Sequence, residues 1–424
     1  MDRKLFDVTM QPAPTTIKLP SGLQLVHIHY PTAGAGIFGI AVKAGSANES
    51  SDEYGLAHLV EHTLFKGTKK RSSWHIINRM EAVGGELNAF TTKEDTVVYS
   101  IFPAGNANRA IELIADLATN SQFPDREIDK EREVVIDEIN SYRDTPAEAI
   151  FDEFEEFALA STPLSHNILG SPDSVRLLNS SHCRQFLADN YTVDNVVVFY
   201  SGSDSIDKIA RLAERYFAAM PSVGKRFQMT ATPKVDAFDK TITLDVHQTH
   251  ALIGACVGGI FSPQRYAISL FSNITGGPGM NSLLNVELRE RRGLVYSVET
   301  STALFSTCGL ITLYFGCDAH DLARCRKLCN NVFRHLAEGG LSERALASAK
   351  KQYMGQFAIA SENRETRIMS AARSLLFRGL TDSYAETLRG INEVSLSDIA
   401  DIAQRMCNAS SLIYTYDNYS AKNS

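Results

Sequence analysis

Apolar residues follow two different periods along the first half of the chain. A period near two, rich in β-branched residues, indicates strands, whereas recurrence every three to four residues indicates helices. The strands are predicted at Leu23–His29, Ile37–Ala44, Glu86–Thr92, Thr96–Phe102 and Asn195–Ser201, and the helices at 53–66, 73–84, 106–121, 125–160 and 181–190. Lys93-Glu94-Asp95 separates two of these strands, which predicts a hairpin there.

The second half repeats this order of elements. Its predicted strands are Thr241–Val246, His250–Gly258, Tyr296–Ser301, Leu310–Cys317 and Ser411–Tyr416, and its predicted helices are 265–293, 319–338, 341–376 and 396–407. The segment from Arg126 corresponds to the one from Arg344, and NVVVFY from Asn195 corresponds to SLIYTY from Ser411 at nearly the same separation. Two such matches at one separation indicate an internal duplication.

The order of elements predicts an α+β fold of two homologous domains, each a mainly antiparallel sheet packed with long helices. Strict alternation of strand and helix, the mark of a parallel sheet, is not seen. We expect the domains at 1–220 and 239–424. The segment 221–238, which carries Pro, Gly and Thr without a clear period, is the predicted linker.

Composition narrows the functional classes. A net charge of −7 on 424 residues gives no reason to expect a nucleic-acid partner. Seven cysteines without a CxxC pair fit a reducing compartment better than a disulfide framework. The N-terminal segment lacks the apolar core of a signal peptide, and the longest apolar run, 251–261, is about half a membrane span. We therefore expect a cytoplasmic protein with no membrane partner.

The segment His58-Leu-Val-Glu61-His62 carries candidate metal chemistry. On a helix, residues four apart lie on one face, so both imidazoles can bind one ion. Glu61 lies beside that ion rather than on it, which suits a general base for water. Three polar residues on a solvated helix face are the alternative, and a chance HxxEH match is frequent enough that the motif alone does not decide.

A zinc hydrolase needs a third protein ligand and a free position for water. The strongly helical segment Arg126–Tyr142 is predicted to be anchored by apolar Ile128, Val134, Val135 and Ile139. Glu131 and Glu138 fall on one stripe of this helix, because seven residues make about two turns. Spacing does not choose between Glu131, Glu133 and Glu138.

Three segments, HLVEHTLFKGT, ELNAFTTKEDTVVY and EREVVIDEI, occur in this order. Together they resemble the inverzincin peptidases, the family of pitrilysin, insulin-degrading enzyme and the mitochondrial processing peptidase. The resemblance covers nearly the whole chain and matches a short, two-domain bacterial type. It implies that Glu138 is the third ligand and Glu131 an assisting carboxylate. It also implies that Asn88-Ala89-Phe90 is an edge strand with which a substrate peptide pairs.

The second half carries another family signature, GGPGMNSLLNVELRERRGLVYSV. By resemblance, Arg289 and Tyr296 bind and polarise the substrate carbonyl, a role like that of an oxyanion hole. From the residues alone, a surface arginine and a core tyrosine would be the simpler interpretation. Gly276, Met280 and Gln356 stand where the duplication would place metal ligands, so we expect one Zn²⁺ per chain. The proline of Gly276-Gly277-Pro278-Gly279 departs from the commoner family loop.

These features predict a zinc-dependent endopeptidase or oligopeptidase that acts on peptides. Longer relatives carry four such halves, so a two-half chain implies a homodimer whose active sites are shared between subunits. Three alternatives remain: a non-catalytic scaffold or regulatory subunit, one half of a hetero-oligomer, and a metal-binding protein without hydrolysis. Neither the natural substrate nor a processing or degradative role follows from the sequence.

Overall fold

The computed structural model describes residues 12–160, 162–224 and 237–415. The strands are β1 (Thr15–Lys18), β2 (Gln24–His29), β3 (Ala35–Val42), β4 (Glu86–Thr91), β5 (Thr96–Pro103), β6 (Val196–Gly202), β7 (Asp239–Thr243), β8 (Thr249–Val257), β9 (Val295–Leu304), β10 (Gly309–Cys317) and β11 (Ser410–Thr415).

The α-helices of the first half are α1 (Leu56–Leu64), α2 (Ser73–Glu81), α3 (Ala107–Asn120), α4 (Asp125–Arg143), α5 (Pro146–Ala158), α6 (Pro172–Leu177), α7 (Ser180–Asn190) and α8 (Ile206–Tyr216). Those of the second half are α9 (Arg265–Gly276), α10 (Leu322–Ala337), α11 (Glu343–Ala360), α12 (Arg364–Arg378), α13 (Tyr384–Glu393) and α14 (Leu396–Cys407). In the part of the chain that the structure describes, no helix combines the length and apolar character needed to cross a bilayer.

The strands form two sheets with the same internal order. The first runs β1-β2-β6-β3-β5-β4, and the second runs β7-β11-β8-β10-β9. Neighbouring strands are antiparallel, except that β2 pairs parallel with β6 and β7 pairs parallel with β11. Apart from β1, each strand of the first sheet thus has a counterpart at the same place in the second. The predicted α+β fold is confirmed, and the shared topology agrees with the duplication read from the sequence.

The described residues fall into two compact units that are not continuous in sequence. Among the described residues, the first draws on 12–140, 166–224 and 359–385, and the second on 141–160, 162–165, 237–358 and 386–415. The domain boundaries drawn from the sequence, by contrast, are continuous segments. Most of the linker predicted at 221–238 lies outside the described residues.

Hydrophobic burial explains why α12 belongs to the first unit and α5 to the second, although each comes from the other half of the sequence. In the first unit, α12 lays apolar side chains against one face of the first sheet, and all are buried. This cluster contains Val26, Ile28, Ile37, Ala41, Val97, Val197, Phe199, Ile368, Ala372 and Leu375. In the second unit, α5 packs on the second sheet, where the ring of Phe154 covers Gly254 of β8. At about 25 cal/mol per Å² of apolar surface, such a face contributes strongly to the stability of its sheet.

Three predicted helices are interrupted. The helix predicted over 125–160 ends before Pro146, because the residue before a proline is driven out of the helical region. The one predicted over 265–293 ends at Gly276 and is followed by a separate π-helical turn, Asn285–Glu290. The one predicted over 341–376 breaks where Asn363 caps a new helix through the N–H groups of Glu365 and Thr366. The pattern did not predict β1, α6, α8 or α13.

Candidate metal centre

Helix α1 places His58 and His62 one turn apart against the core. It begins at Leu56 rather than at residue 53, because Gly55 has a φ of 95°. The apolar positions around the histidines are buried, namely Leu56, Leu59, Val60 and Leu64. The two imidazole rings lie edge to face with centroids 4.5 Å apart. The spacing therefore directs both rings to one side of the helix.

Glu138 of α4 faces both rings. Its Oε2 lies 3.8 Å from Nε2 of His58 and 3.7 Å from Nε2 of His62. These separations are too long for hydrogen bonds. They are close to the edge of a tetrahedron with metal–ligand bonds of about 2.1 Å, roughly 3.4 Å. Two imidazole nitrogens and one carboxylate oxygen are a donor set that zinc accepts. The three residues thus fit a metal ion.

Burial keeps His58 neutral. Its environment lowers the pKa of the imidazole to about 3, mainly because burial disfavours the cation and also because His62 is close. A neutral ring offers a lone pair at Nε2, which metal binding requires. The other nitrogen, Nδ1, is buried and has no hydrogen-bond partner among the described residues.

The other two candidate carboxylates of α4 are placed differently. Glu131 is buried, and its Oε2 lies 3.2 Å from Nδ1 of His62, the ring nitrogen that faces away from Glu138. Lys66 approaches Oε1 of Glu131 at 2.7 Å. A carboxylate in this position fixes the tautomer and the ring orientation of a metal-binding histidine. Glu133 is exposed and does not belong to the cluster.

Two details near the metal centre were not predicted. Val134, predicted to anchor α4, is 49% exposed, whereas Ile136 is buried. Two residues apart on a helix, these side chains lie on nearly opposite faces, and the buried face is the one that carries Ile128, Val135 and Ile139. Lys66 was not singled out; it lies two residues beyond the end of α1, where helical spacing does not fix the direction of a side chain. Its role depends on the position of α4, which spacing along the chain does not give.

Glu61 lies beside the cluster and is held by Thr91. The hydroxyl of Thr91, the last residue of β4, donates to Oε2 of Glu61 at 2.7 Å. Burial raises the pKa of Glu61, while the Thr91 hydrogen bond and His62 oppose that rise. A carboxylate with a raised pKa is suited to accept and return a proton near neutral pH. Thr91 adjoins the predicted peptide-pairing segment but was not itself predicted.

Strand β4, which contains Asn88, Ala89 and Phe90, is an edge strand. It pairs with β5 alone in the described sheet, so its other side presents unpaired backbone N–H and C=O groups. The three residues are half-buried. Because Thr91 ends this strand and contacts Glu61, the open edge begins next to the candidate base.

Arg289 and Tyr296 belong to the second unit, whereas the histidines and Glu138 belong to the first. Arg289 is exposed in the π-helical turn, a form of helix that is frequent at functional sites. Tyr296 is 64% exposed at the start of β9 and donates its hydroxyl to Asp318 at 3.2 Å. The charge of Asp318 raises the pKa of Tyr296, so its hydroxyl stays protonated and able to donate.

The duplicated positions carry no comparable cluster within the described residues. Gly276 ends α9, and Gln356 accepts a hydrogen bond from Asn273 at 2.7 Å. Pro278 lies between Gly276 and the exposed Met280, at the point where α9 has ended. The second half thus has the fold of the first without its donor set.

Comparison with known protein families assigns both halves of the chain. Residues 25–172 match the family described as Insulinase (Peptidase family M16), and residues 178–353 match the Peptidase M16 inactive domain. The second description agrees with the lack of metal-ligand residues at Gly276, Met280 and Gln356.

Several bacterial proteins are similar over most of their length. A protein of Mycobacterium tuberculosis called an uncharacterised zinc protease is 31% identical over 398 residues, which cover 93% of this chain and 91% of that protein. One of Bacillus subtilis with the same description is 27% identical and covers 91% of this chain and 94% of its own. The crystal structure of a protease from Helicobacter pylori superposes with a TM-score of 0.87 at 20% identity, over 96% of this chain and 100% of that one. That last likeness concerns the fold.

Proposed function

Because the chain belongs to the insulinase family of peptidases, family M16, we propose that it is a zinc-dependent endopeptidase that hydrolyses peptides or unfolded segments. One observation carries the proposal: Nε2 of His58, Nε2 of His62 and a carboxylate oxygen of Glu138 converge on one point, with Glu61 beside them. These three residues are the proposed ligands of one Zn²⁺ per chain.

A bound zinc ion supplies Lewis acidity and lowers the pKa of water to about 7. The residues of the chain transfer protons and hold the reacting groups in position. Glu61 accepts a proton from the attacking water and later delivers it to the leaving amine. Thr91 holds the carboxylate of Glu61 in place. Glu131, contacted by Lys66, orients His62 from the side of Nδ1.

The substrate would bind as an added strand. Main-chain groups on the open edge of β4, at Asn88, Ala89 and Phe90, pair with an extended peptide. Peptides and unfolded segments can offer an extended backbone with unpaired N–H and C=O groups, whereas in a folded sheet these groups are already paired, which supports this substrate class. Arg289 and Tyr296, both exposed donors, would bind the carbonyl of the bond that is cleaved.

The experiment begins with metal-free protein prepared by chelation. Zinc is titrated back, and the cleavage of a mixed peptide library is followed by mass spectrometry. We expect one zinc per chain and cleavage that depends on it. Glu61→Gln is the matched control: it should bind zinc with unchanged stoichiometry and lose roughly 10²–10⁴-fold or more in kcat.

A zinc-loaded chain that cleaves no member of the library would favour the non-catalytic scaffold instead. Loss of zinc together with activity in Glu61→Gln would make Glu61 a ligand and overturn the proposed geometry. In either case the outcome is read from metal content and product masses, which are independent measurements.

A further inference from the structure

Glu49 is a buried carboxylate at the start of α1, outside the candidate metal centre. Its side chain is fully covered. Oε1 accepts the N–H of Ala57 at 2.7 Å, and Oε2 accepts the N–H of Gly55 at 2.9 Å. The first N–H groups of a helix have no partner within it, and Gly55, at the N-cap, offers no side chain. The side chain of Glu49, six residues before Gly55, therefore caps the N-terminus of α1.

His166 completes the surroundings of this carboxylate. Its Nε2 lies 3.0 Å from Oε2 of Glu49, although the two residues are 117 positions apart. The imidazole of His166 stacks on the ring of Tyr54, with centroids 3.9 Å apart and planes at 8°. Burial raises the pKa of Glu49, and the hydrogen bonds from His166, Ala57 and Gly55 oppose that rise, so the side chain keeps its polar partners in a buried place.

The same group of residues is attached to the hairpin that carries the edge strand β4. The ammonium of Lys93, in the turn of that hairpin, donates to the carbonyl oxygen of His166 at 3.0 Å. The N–H of Ala47, two residues before Glu49, donates to the carbonyl of Lys93 at 2.8 Å. Glu49 is thus linked to the hairpin in two ways: through His166, which Lys93 contacts, and through the backbone at Ala47.

His58 needs such a support more than His62 does. Nδ1 of His62 is held by Glu131, whereas Nδ1 of His58 has no hydrogen-bond partner among the described residues. The direction of the His58 ring therefore depends on its packing and on its backbone. Glu49 binds the N–H groups of Gly55, the N-cap of α1, and of Ala57, the residue directly before His58.

We propose that Glu49, held by His166, is a positioning residue for His58: it fixes the first turn of α1 so that Nε2 of His58 faces Glu138 and the metal ion. The inference rests on the proposed function. It assigns to Glu49 an effect on the metal and on the chemical step, beyond the stability that any helix cap provides.

The test compares Glu49→Gln, which keeps the shape of the side chain and replaces one of its two acceptor oxygens by an NH2 group, with the loss of a helix cap elsewhere in the chain. Ser395 caps α14 in the other unit by accepting the N–H of Asp398 at 3.2 Å, so Ser395→Ala is that control. Four quantities are measured for each protein: Tm, zinc affinity by competition with a chromophoric chelator, the visible spectrum of the Co²⁺-loaded form, and kcat with KM.

We expect Glu49→Gln to weaken zinc binding by roughly 10- to 100-fold, as outer residues of metal sites do. Its Co²⁺ spectrum should change, and kcat should fall while KM stays near its wild-type value. Ser395→Ala should lower Tm and leave the zinc affinity and the spectrum unchanged. A Glu49→Gln protein with a lower Tm but wild-type zinc affinity, spectrum and kcat would overturn the proposal.

If Glu49→Gln does not fold, His166→Phe carries the test. Phenylalanine keeps the ring on Tyr54 and removes the Nε2–H donor, so a smaller loss of zinc affinity in the same direction is expected. Unchanged zinc affinity and spectrum in that variant would overturn the inference. A wild-type chain that binds no zinc would instead refute the proposed function, and the inference with it; the two failures are distinguished by the wild-type titration.

Discussion

At the scale of single residues, the carboxylates of α4 differ in which nitrogen they face. Glu138 lies opposite Nε2 of both histidines, whereas Glu131 lies at Nδ1 of His62 and is contacted by Lys66. The sequence places both carboxylates on one stripe of one helix and cannot rank them. Ranking them requires the position of α1 relative to α4, which is a matter of packing.

The first prediction follows from this difference. Glu138→Gln should abolish measurable zinc retention, because it removes an anionic ligand. Glu131→Gln should weaken zinc by roughly 10- to 100-fold, because it removes only the support of His62. Metal titration of the two variants by competition decides the order. If Glu131→Gln released the ion and Glu138→Gln kept it, the third ligand would be Glu131.

A second residue-scale prediction concerns Thr91. Thr91→Val keeps the shape of the side chain and removes the hydroxyl that donates to Glu61. A hydrogen bond to a charged group contributes about 1.5–3 kcal/mol, so kcat should fall by roughly 10-fold or more. Zinc content should not change. Thr91→Ser restores the donor and should recover most of kcat; a Thr91→Val enzyme with wild-type kcat would remove Thr91 from the mechanism.

At the scale of elements, a peptide that binds the open edge of β4 would be held by backbone hydrogen bonds. In a strand, successive backbone groups point in opposite directions, so only alternate residues of an added peptide can pair with β4. A set of substrates N-methylated one position at a time should therefore lose kcat/KM at every second position and keep it at the others. Cleavage rates of the set give the answer, and uniform tolerance would argue against strand addition.

The elements themselves were largely predictable. The alternating runs gave ten of the eleven strands in the described residues, most of which bury one face or both in a sheet core. Breaks within helices were missed where a single residue decides them, as Pro146 and Asn363 do. The pairing of α12 with the first sheet was not predictable, since periodicity shows that a helix has an apolar face but not which face it covers.

At the scale of the whole molecule, we propose a homodimer in which Arg289 and Tyr296 of one subunit act at the metal centre of the other subunit. A Glu61→Gln chain is co-expressed with an Arg289→Ala/Tyr296→Phe chain, each inactive alone. If sites are shared between subunits, one site of every mixed dimer is intact, and roughly a quarter of wild-type activity should return. No recovery from verified mixed dimers would contradict shared sites and leave the zinc ligands unaffected.

Two helices occupy equivalent positions in the duplication, and each serves the unit built mainly from the other half. Helix α5, from the first half, covers the second sheet, and α12, from the second half, covers the first. If the duplication arose by fusion of two half-length copies, those copies would have made the same contacts only by exchanging this helix with one another. The arrangement is that of a domain-swapped homodimer, here contained within a single chain.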